Sequence, residues 1–181
     1  MKVVKKITLA GDTMVGKTSL IRRFVADQYD DKYIITIGTK VTKRELNLPH
    51  PATKENVEMT LMVWDIMGLF GYRPELHKAN FTGAKGALLV CDLTRKYTLA
   101  RMDEWAKSII NETGKIPMVA LVNKADLKER ADFTEDDVKD AIGKYGISYY
   151  YTSAKTGDNV EKAFGQVCEM MLEADKGGGS Q

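Results

Sequence analysis

Short apolar runs alternate along this chain with longer stretches in which apolar residues recur at helical spacing. Runs over 3–9, 85–92 and 116–122 predict strands, and the last two are apolar almost throughout, as is typical of strands buried on both faces of a parallel sheet. A further short strand is predicted over 146–151. Strands that alternate with helical stretches indicate an α/β sheet whose strands are joined by crossover helices.

The segments 39–48 and 56–64 have a different pattern, and we predict that they form a hairpin. In the second segment, apolar residues at every other position, from Val57 to Val63, give the period of a half-buried strand. The linker contains Pro49 and Pro51, which keep it out of a strand ladder. A hairpin at this place adds one antiparallel strand to a sheet that is otherwise parallel.

Helical patterns fill the stretches between the strands. The first helix is predicted over about 17–28, and residues 29–38 lack a helical period and predict a long loop. Thr134 and Asp137 resemble the capping box of a helix, and Asp158 is predicted to cap the last helix. Two stripes of apolar residues predict core packing: Leu99, Met102, Ala106 and Ile109 on one helix, and Val160, Ala163, Phe164, Val167 and Met171 on another.

The composition places these elements in one globular domain. Of the 181 residues, 44% are hydrophobic and 29% are charged, and the net charge of +2 is too small to predict binding to nucleic acid or to an acidic membrane. Cys91 and Cys168 lie in apolar surroundings without metal-like spacing, so we expect buried free thiols in a reducing compartment, the cytoplasm. We expect residues 1–175 to form the domain and 176–181 to form a flexible Gly/Ser tail.

Residues 11–19 fit the pattern G-x-x-x-x-G-K-[ST] between a predicted strand and a predicted helix. Gly11 and Gly16 allow the backbone to turn tightly and to approach phosphate oxygens that a Cβ would obstruct. Lys17 supplies a positive charge to the β- and γ-phosphates, and the Thr18 hydroxyl can ligate Mg²⁺. A chance glycine-rich loop is the alternative, but the strand–loop–helix context favours a phosphate-binding loop.

Asp65 and Gly68 follow the strand over 56–64 in the pattern Asp-x-x-Gly. An Asp at a strand end can hold Mg²⁺ through water, and a Gly there lets a backbone N–H reach the γ-phosphate. Taken alone, this stretch is better explained as a plain turn. Its position after a strand, downstream of a phosphate-binding loop, favours a role at the nucleotide.

Two loops that follow later strands contain residues that could recognise the base of a nucleotide. In 123–126, the Asp126 carboxylate can accept hydrogen bonds from the N1–H and the 2-amino group of guanine, a donor pair that adenine lacks, so an ATPase is disfavoured. A polar turn in which Asp126 caps a helix is the alternative for this stretch by itself. Residues 153–155 could present a backbone N–H to the guanine O6, although the tripeptide carries no information alone.

The four motifs are the stretches 11–19, 65–68, 123–126 and 153–155. In this order and spacing they resemble those of the small GTPases of the Ras superfamily, and the resemblance covers residues 1–175. The stretches 24–38 and 87–94 are most similar to the Rab branch. The resemblance implies a P-loop NTPase fold, the G domain, with a six-stranded, mostly parallel sheet, one antiparallel edge strand and helices on both faces. It also implies a molecular switch that binds GTP or GDP with Mg²⁺ and hydrolyses GTP slowly.

The resemblance also assigns roles to individual residues. Tyr29 would pack edge-on against guanine, Tyr33 would cover the phosphates, and Lys124 would lie along the base plane. The implied Mg²⁺ ligands are Thr18, Thr36 and Asp65, with Thr36 also sensing the γ-phosphate. The implied nucleotide site comprises Thr13, Met14, Val15, Gly16, Lys17, Thr18, Ser19, Tyr29, Tyr33, Thr36, Gly68, Asn123, Lys124, Asp126, Ser153, Ala154 and Lys155, and the implied catalytic positions are Lys17, Thr36, Gly68 and Leu69.

The chain departs from the family at positions that act on GTP. Leu69 stands where the family has the glutamine that orients the attacking water, and an apolar side chain cannot make that hydrogen bond. Thr13 and Met14 occupy positions that are commonly smaller, and both crowd the γ-phosphate region. We therefore predict very low intrinsic hydrolysis or a GTP-locked form, and a GTP-loaded scaffold that does not hydrolyse is the alternative.

The resemblance implies protein partners. Effectors would bind switch I (about 29–38) and switch II (about 65–79) of a monomeric chain, and an exchange factor and an activating protein would act on it. Nucleic acid is not a predicted partner. The printed sequence has no C-terminal cysteine for prenylation, so no lipid anchor is predicted, and we expect a cytoplasmic protein that reaches membranes through partners.

Overall fold

The computed structural model describes residues 1–30, 38–68 and 74–175, in which the predicted strands and helices alternate. The strands are β1 (Lys2–Ala10), β2 (Thr39–Pro49), β3 (Asn56–Ile66), β4 (Gly86–Asp92), β5 (Met118–Asn123) and β6 (Ser148–Tyr151). The helices are α1 (Lys17–Ala26), α2 (Pro74–Phe81), α3 (Lys96–Ala100), α4 (Met102–Thr113), α5 (Glu135–Ile142) and α6 (Val160–Ala174). Short 3₁₀ helices cover Ala125–Arg130 and Gly143–Tyr145.

The six strands form one sheet in the order β2-β3-β1-β4-β5-β6. Neighbours from β3 to β6 pair in parallel, whereas β2 pairs antiparallel with β3, from Thr39 opposite Ile66 to Pro49 opposite Asn56. The predicted hairpin and fold class are therefore confirmed. Because the parallel strands run in one direction, the loops that follow them lie at the same edge of the sheet.

Two apolar layers cover the faces of the sheet. On one face, α1 and α6 meet through the stacked rings of Phe24 and Phe164, whose centroids lie 3.9 Å apart. On the other face, Trp105 of α4 is buried in one cluster with Phe81 of α2 and Val138 of α5. The two apolar stripes predicted from the sequence are buried, as are β4 and β5 along their whole lengths. Helices thus lie on both faces of the sheet.

Helix boundaries differ from the prediction at three places. The first helix ends at Ala26, because Asp27 takes a left-handed conformation with φ 49°. The stripe from Leu99 to Ile109 is divided at Arg101 into α3 and α4. The prediction that Asp158 caps the last helix is wrong: Asn159 precedes α6 with φ 56°, and its amide donates to the Tyr151 carbonyl at 2.8 Å. The predicted capping box at Thr134 is confirmed.

Both cysteines are buried free thiols, as the sequence predicts. Burial raises the pKa of Cys91 well above its usual range and raises the pKa of Cys168 to about 12. Neither thiol is therefore ionised at neutral pH. No helix in the described ranges is long and apolar enough to cross a membrane.

Candidate nucleotide-binding site

The loops that follow β1, β3, β5 and β6 carry the four sequence motifs. Contacts among these loops bring the motifs together at the carboxyl edge of the sheet, where open α/β sheets bind ligands.

The two glycines of the 11–19 loop are required by close contacts. Gly16 has φ 100°, and a Cβ there would lie 2.3 Å from the Asn123 amide nitrogen. A Cβ at Gly11 would lie 2.2 Å from the Val90 carbonyl oxygen. Gly16 is the N-cap residue of α1 and has no side chain to bond the first N–H groups of the helix, which are the groups that bind anions at helix N-termini. These features fit a cradle for an anion, as the motif predicts.

Lys17 is the buried cation of this loop. Its side chain is 7% exposed, and its ammonium donates to the carbonyls of Gly11 (2.6 Å) and Asp12 (2.8 Å). Burial lowers the pKa of Lys17 to about 8, although the carboxylates of Asp65 and Asp12 oppose the shift. A buried ammonium held by carbonyl oxygens is poised to bind an anion that offers stronger acceptors.

Thr18 and Asp65 join the phosphate-binding loop to the end of β3. The Thr18 hydroxyl donates to an Asp65 carboxylate oxygen at 2.5 Å, and Asp65 is 2% exposed. A hydroxyl and a carboxylate are the hard oxygen donors that Mg²⁺ prefers, and such sites are completed by phosphate and water. The described residues contain no group of three or more His, Cys, Asp or Glu side chains that could hold a metal ion alone. The donor set fits Mg²⁺ bound together with a nucleotide.

Gly68 packs against the phosphate-binding loop. A Cβ at this position would lie 2.4 Å from the backbone nitrogen of Thr13 and 2.4 Å from the carbonyl carbon of Asp12, so only glycine fits. The Thr13 hydroxyl is buried without a hydrogen-bond partner in the described structure. Met14 takes a left-handed conformation with φ 67° although it is not glycine, and its side chain is exposed. This corner is therefore both crowded and conformationally strained.

Asn123 connects three loops of the site. It is 1% exposed, and its amide nitrogen donates to the Val15 carbonyl at 2.9 Å. Its amide oxygen accepts hydrogen bonds from the Thr152 hydroxyl (3.2 Å) and from the backbone N–H of Ala154 (3.3 Å). One side chain thus fixes the phosphate-binding loop relative to the loop at 153–155.

Asp126 and Ser153 form the second contact between the base-side loops. The Ser153 hydroxyl donates to an Asp126 carboxylate oxygen at 2.6 Å, while Asp126 itself stays exposed. Arg23 of α1 donates to the carbonyls of Ala154 (2.8 Å) and Lys155 (2.6 Å), which holds the last loop in place. Asp126 is therefore oriented with its carboxylate accessible to a ligand.

The structure brings most of the predicted site residues to one edge, but their roles toward a ligand stay predictions. Val15 contributes its carbonyl, since its side chain is buried in the core. Ser19 is half-buried in α1, and Tyr29 is 38% exposed beyond that helix. The Lys124 ammonium lies 2.6 Å from an Asp92 carboxylate oxygen. Three predicted positions lie outside the described residues: Tyr33, Thr36 and Leu69.

Sequence reasoning missed several residues that hold the site together. Asp92 ends β4 and binds Lys124, and Asp12 accepts a hydrogen bond from the Trp105 indole at 3.4 Å. Arg23 and Arg95 contact backbone carbonyls of the site loops. A signal for Asp92 was present, because an aspartate that ends a buried central strand is the pattern that identified Asp65. The arginines sit on helix and loop positions that carry no comparable pattern.

Comparison with known proteins is consistent with this geometry. Residues 6–173 match the Ras family. The chain is 35% identical to the Ras-related protein RABA1c of Arabidopsis thaliana, over 90% of this chain and 72% of that protein. It is 30% identical to human Rab-27B, over 93% of this chain and 79% of the relative. It is also 32% identical to bovine Rab-13, over 92% of this chain and 79% of that protein.

Proposed function

Because the chain belongs to the Ras family of small GTPases, we propose that it is a guanine-nucleotide switch that binds GTP or GDP together with Mg²⁺. Residues 1–175 act as one G domain in this proposal, and the switch segments are 29–38 and 65–79. The observation that carries the proposal is the bridge formed by Asn123. Its amide holds the Val15 carbonyl and the Ala154 N–H, so the phosphate-binding and base-selecting loops form one site.

The base is selected by Asp126. Its exposed carboxylate is oriented by the Ser153 hydroxyl and can accept hydrogen bonds from both guanine donors, whereas adenine offers no such pair. The Ala154 N–H is already used by Asn123, which favours Lys155 or a neighbouring N–H as the donor to O6. Lys124 would lie along the base plane, and Tyr29 would pack against its edge.

The phosphates are bound by the loop N–H groups and by Lys17. Thr18 and Asp65 would hold Mg²⁺, with Thr36 joining them when a γ-phosphate is present. The ion would supply charge neutralisation at the phosphate oxygens. The Lys17 ammonium has three donors, of which two bind carbonyls, so it can bind a phosphate oxygen directly or by exchange of a carbonyl partner, and the charged acceptor favours this.

Hydrolysis is slow in this proposal. Leu69 cannot orient a water, and switch I offers Tyr33 where an arginine acts in some relatives. Lys17 and the loop N–H groups still stabilise charge on the transferred phosphoryl group, so activity is low rather than absent. Partners of the kinds that the family uses, an activating protein and an exchange factor, would then control the nucleotide state.

A scaffold that stays loaded with GTP is the second candidate function. The crowded corner favours it, because Thr13, whose hydroxyl is buried, lies against Gly68, where an attacking water would have to fit, and the next residue, Met14, has a strained backbone. In this case effectors would dock on the switches continuously. In both cases we propose a monomer in the cytoplasm that reaches membranes through partners.

The nucleotide that remains bound after purification tests the proposal. We expect chromatography of the denatured protein to release GDP or GTP. We also expect unlabelled GTP and GDP, but not ATP, to displace a fluorescent GDP analogue, and chelation of Mg²⁺ to accelerate its release. Displacement by ATP as effective as that by GTP would contradict guanine selection by Asp126.

A further inference from the structure

Strand β4 lies between the two halves of the site. In the sheet order, β1 leads into the phosphate-binding loop, β5 leads into the base-selecting loop at 123–126, and β4 is the strand that pairs with both. Asp92 is the last residue of β4 and pairs in register with Asn123. A side chain at this position can therefore reach toward either loop.

The Asp92 carboxylate is 1% exposed and accepts four hydrogen bonds. One oxygen accepts from the backbone N–H of Thr94 (2.9 Å) and from its hydroxyl (2.7 Å). The other oxygen accepts from the Arg95 Nε (2.9 Å) and from the Lys124 ammonium (2.6 Å). Two cations from different loops thus share one buried carboxylate oxygen.

Arg95 continues this network into the phosphate-binding loop. Its Nη2 donates to the Thr13 carbonyl at 3.1 Å, and its Nη1 donates to the Tyr97 hydroxyl at 2.7 Å. The guanidinium is planar, so fixing Nε on Asp92 also fixes the direction of Nη2. The position of the Thr13 carbonyl is therefore tied to the carboxylate at the end of β4.

The backbone conformation and the ammonium of Lys124 are both constrained. Its backbone is left-handed, with φ 65°, which is an unfavourable conformation for a residue that is not glycine. Its ammonium is bound to Asp92, so the methylene chain between them spans a fixed distance. A lysine whose ammonium is already immobilised can pack its methylene groups against a base, and little further side-chain entropy is lost on binding.

From these contacts we propose that Asp92 and Arg95 are positioning residues that set the rate of nucleotide release. Asp92 fixes Lys124 of the base-selecting loop at 123–126, and it also fixes Arg95. Arg95 in turn fixes the Thr13 carbonyl of the phosphate-binding loop. This role rests on the proposed function and deepens it. It assigns to β4, which carries none of the four motifs, a second coupling between base and phosphate recognition, beside the one that Asn123 provides.

Burial makes the arrangement sensitive to the loss of any partner. Burial alone would raise the pKa of Asp92, but hydrogen bonds from Lys124 and Thr94 outweigh it and hold the pKa below the ordinary value. The carboxylate is therefore ionised at neutral pH and holds both cations. Removal of its charge would leave Arg95 and Lys124, whose side chains are 25% and 32% exposed, facing each other without a counter-ion. The repulsion between them is screened only in part by solvent, so both side chains should move apart.

The experiment measures release of a fluorescent GDP analogue from the full chain with Mg²⁺ in place. For Arg95→Gln, which removes the charged contacts to Asp92 and the Thr13 carbonyl, we expect release to accelerate about tenfold. For Asp92→Asn, which frees both cations, we expect roughly a hundredfold acceleration. Arg95→Lys retains the charge without the planar fork, so its release rate should lie between those of wild type and Arg95→Gln.

A double variant separates positioning from general destabilisation. If Arg95 acts through Asp92, Asp92→Asn combined with Arg95→Gln should release the analogue no faster than Asp92→Asn alone. The matched control is Asp103→Asn on α4, since Asp103 is also shared by two cations, Lys107 and Lys144, but its partners belong to no loop of the site. We expect the control to lower thermal stability and to leave the release rate within twofold of wild type.

Three results would overturn the inference. Release from Arg95→Gln at the wild-type rate would remove Arg95 from the proposed role, even if Asp92→Asn fails to fold. Equal acceleration by Asp103→Asn would assign the effect to loss of stability. A multiplicative effect in the double variant would show that the two residues act independently. Failure of the proposed function is distinguishable from all three, since a wild-type chain that binds no guanine analogue would show it directly.

Discussion

The base side and the phosphate side of the site are held together differently. On the base side, Ser153 is bound to Asp126, and Asn123 is bound to backbone groups of Val15 and Ala154, by contacts that a nucleotide does not have to break. On the phosphate side, Lys17 is bound to two loop carbonyls, and Thr18 is bound directly to Asp65. These phosphate-side groups are the ones that a nucleotide and Mg²⁺ would engage, so their present contacts would be exchanged or extended.

This difference suggests separate roles for the two sides, with specificity on the base side and switching on the phosphate side. A preassembled base side would recognise guanine at little reorganisation cost, because preorganisation favours tight and selective binding. A phosphate side whose side chains exchange partners can respond to the number of phosphates present. The comparison predicts that base-side substitutions alter affinity and selectivity, whereas phosphate-side substitutions alter hydrolysis and pH dependence.

The largest expected effect is that of Asp126→Asn on the base side. The amide replaces one acceptor with a donor and leaves the other acceptor uncharged, so neither charged hydrogen bond to guanine remains and GDP affinity should fall roughly 10²- to 10⁴-fold. Xanthine nucleotides should bind better than to wild type, because xanthine carries an oxygen where guanine has its amino group. Competition titrations with GDP and XDP measure both changes, with Glu129→Gln on the same 3₁₀ helix as the control. Unchanged GDP affinity would contradict the role of Asp126.

Leu69→Gln tests the phosphate side. Restoring a side chain that can orient water should raise the single-turnover rate of GTP hydrolysis on the order of tenfold to a hundredfold. Leu69→Ala is the control, because it removes bulk without adding a hydrogen-bonding group. No increase with glutamine would mean that Thr13 and Met14 already exclude the water, and would favour the scaffold function. A wild-type rate at or above the about 10⁻⁴ s⁻¹ of unassisted Ras, which is a general reference value, would contradict the proposed impairment.

The buried ammonium of Lys17 should make nucleotide binding depend on pH. Its pKa of about 8 in this structure lies below the ordinary value of a lysine, and bound phosphate would raise the pKa again because it favours the charged form. Binding strength is therefore fully present below about pH 8 and is lost progressively as the pH rises from that value toward the higher pKa of the nucleotide-bound state. The Kd for GDP should increase roughly tenfold between pH 7 and pH 9.

Lys17→Arg is the matched control for this pH dependence. Its guanidinium stays protonated over the whole range, so its own contribution to binding should not change with pH. Titration of the nucleotide itself affects both proteins equally, and the ratio of their Kd values isolates Lys17. If that ratio is constant from pH 7 to pH 9, the ammonium does not deprotonate in the nucleotide-free protein.

Ser153→Ala should have the smallest effect and sharpens the idea of a preassembled base side. The Ser153 hydroxyl orients Asp126 and also accepts the backbone N–H of Thr156 at 3.1 Å. Its removal leaves the Asp126 carboxylate in place but less ordered, so GDP affinity should fall about two- to tenfold. Ser148→Ala on β6, an exposed serine outside the site, is the control. Loss of affinity as large as that of Asp126→Asn would show that Ser153 contacts the ligand directly.

Local sequence patterns determined the fold and the motifs of this protein. The alternation over 56–64 and the apolar runs at 85–92 and 116–122 gave the hairpin and the central strands, because burial on one or both faces is recorded in each residue's polarity. The sequence explained Gly11, Gly16 and Gly68 by approach of the backbone to phosphate, whereas the structure adds a different reason, since a Cβ at each would clash with neighbouring protein atoms. Tyr33, Thr36 and Leu69 lie outside the described residues, and their roles remain predictions.

Only the tertiary structure decided which side chains support those motifs. Arg95 and Lys124 meet on Asp92, Arg23 holds the loop at 153–155, and Asn159 rather than Asp158 precedes the last helix. The physical reason is that these contacts join residues from different strands and helices, so their geometry depends on strand order and packing. Polarity and spacing along the chain record burial and turns, but they do not record which distant side chains meet at the edge of the sheet.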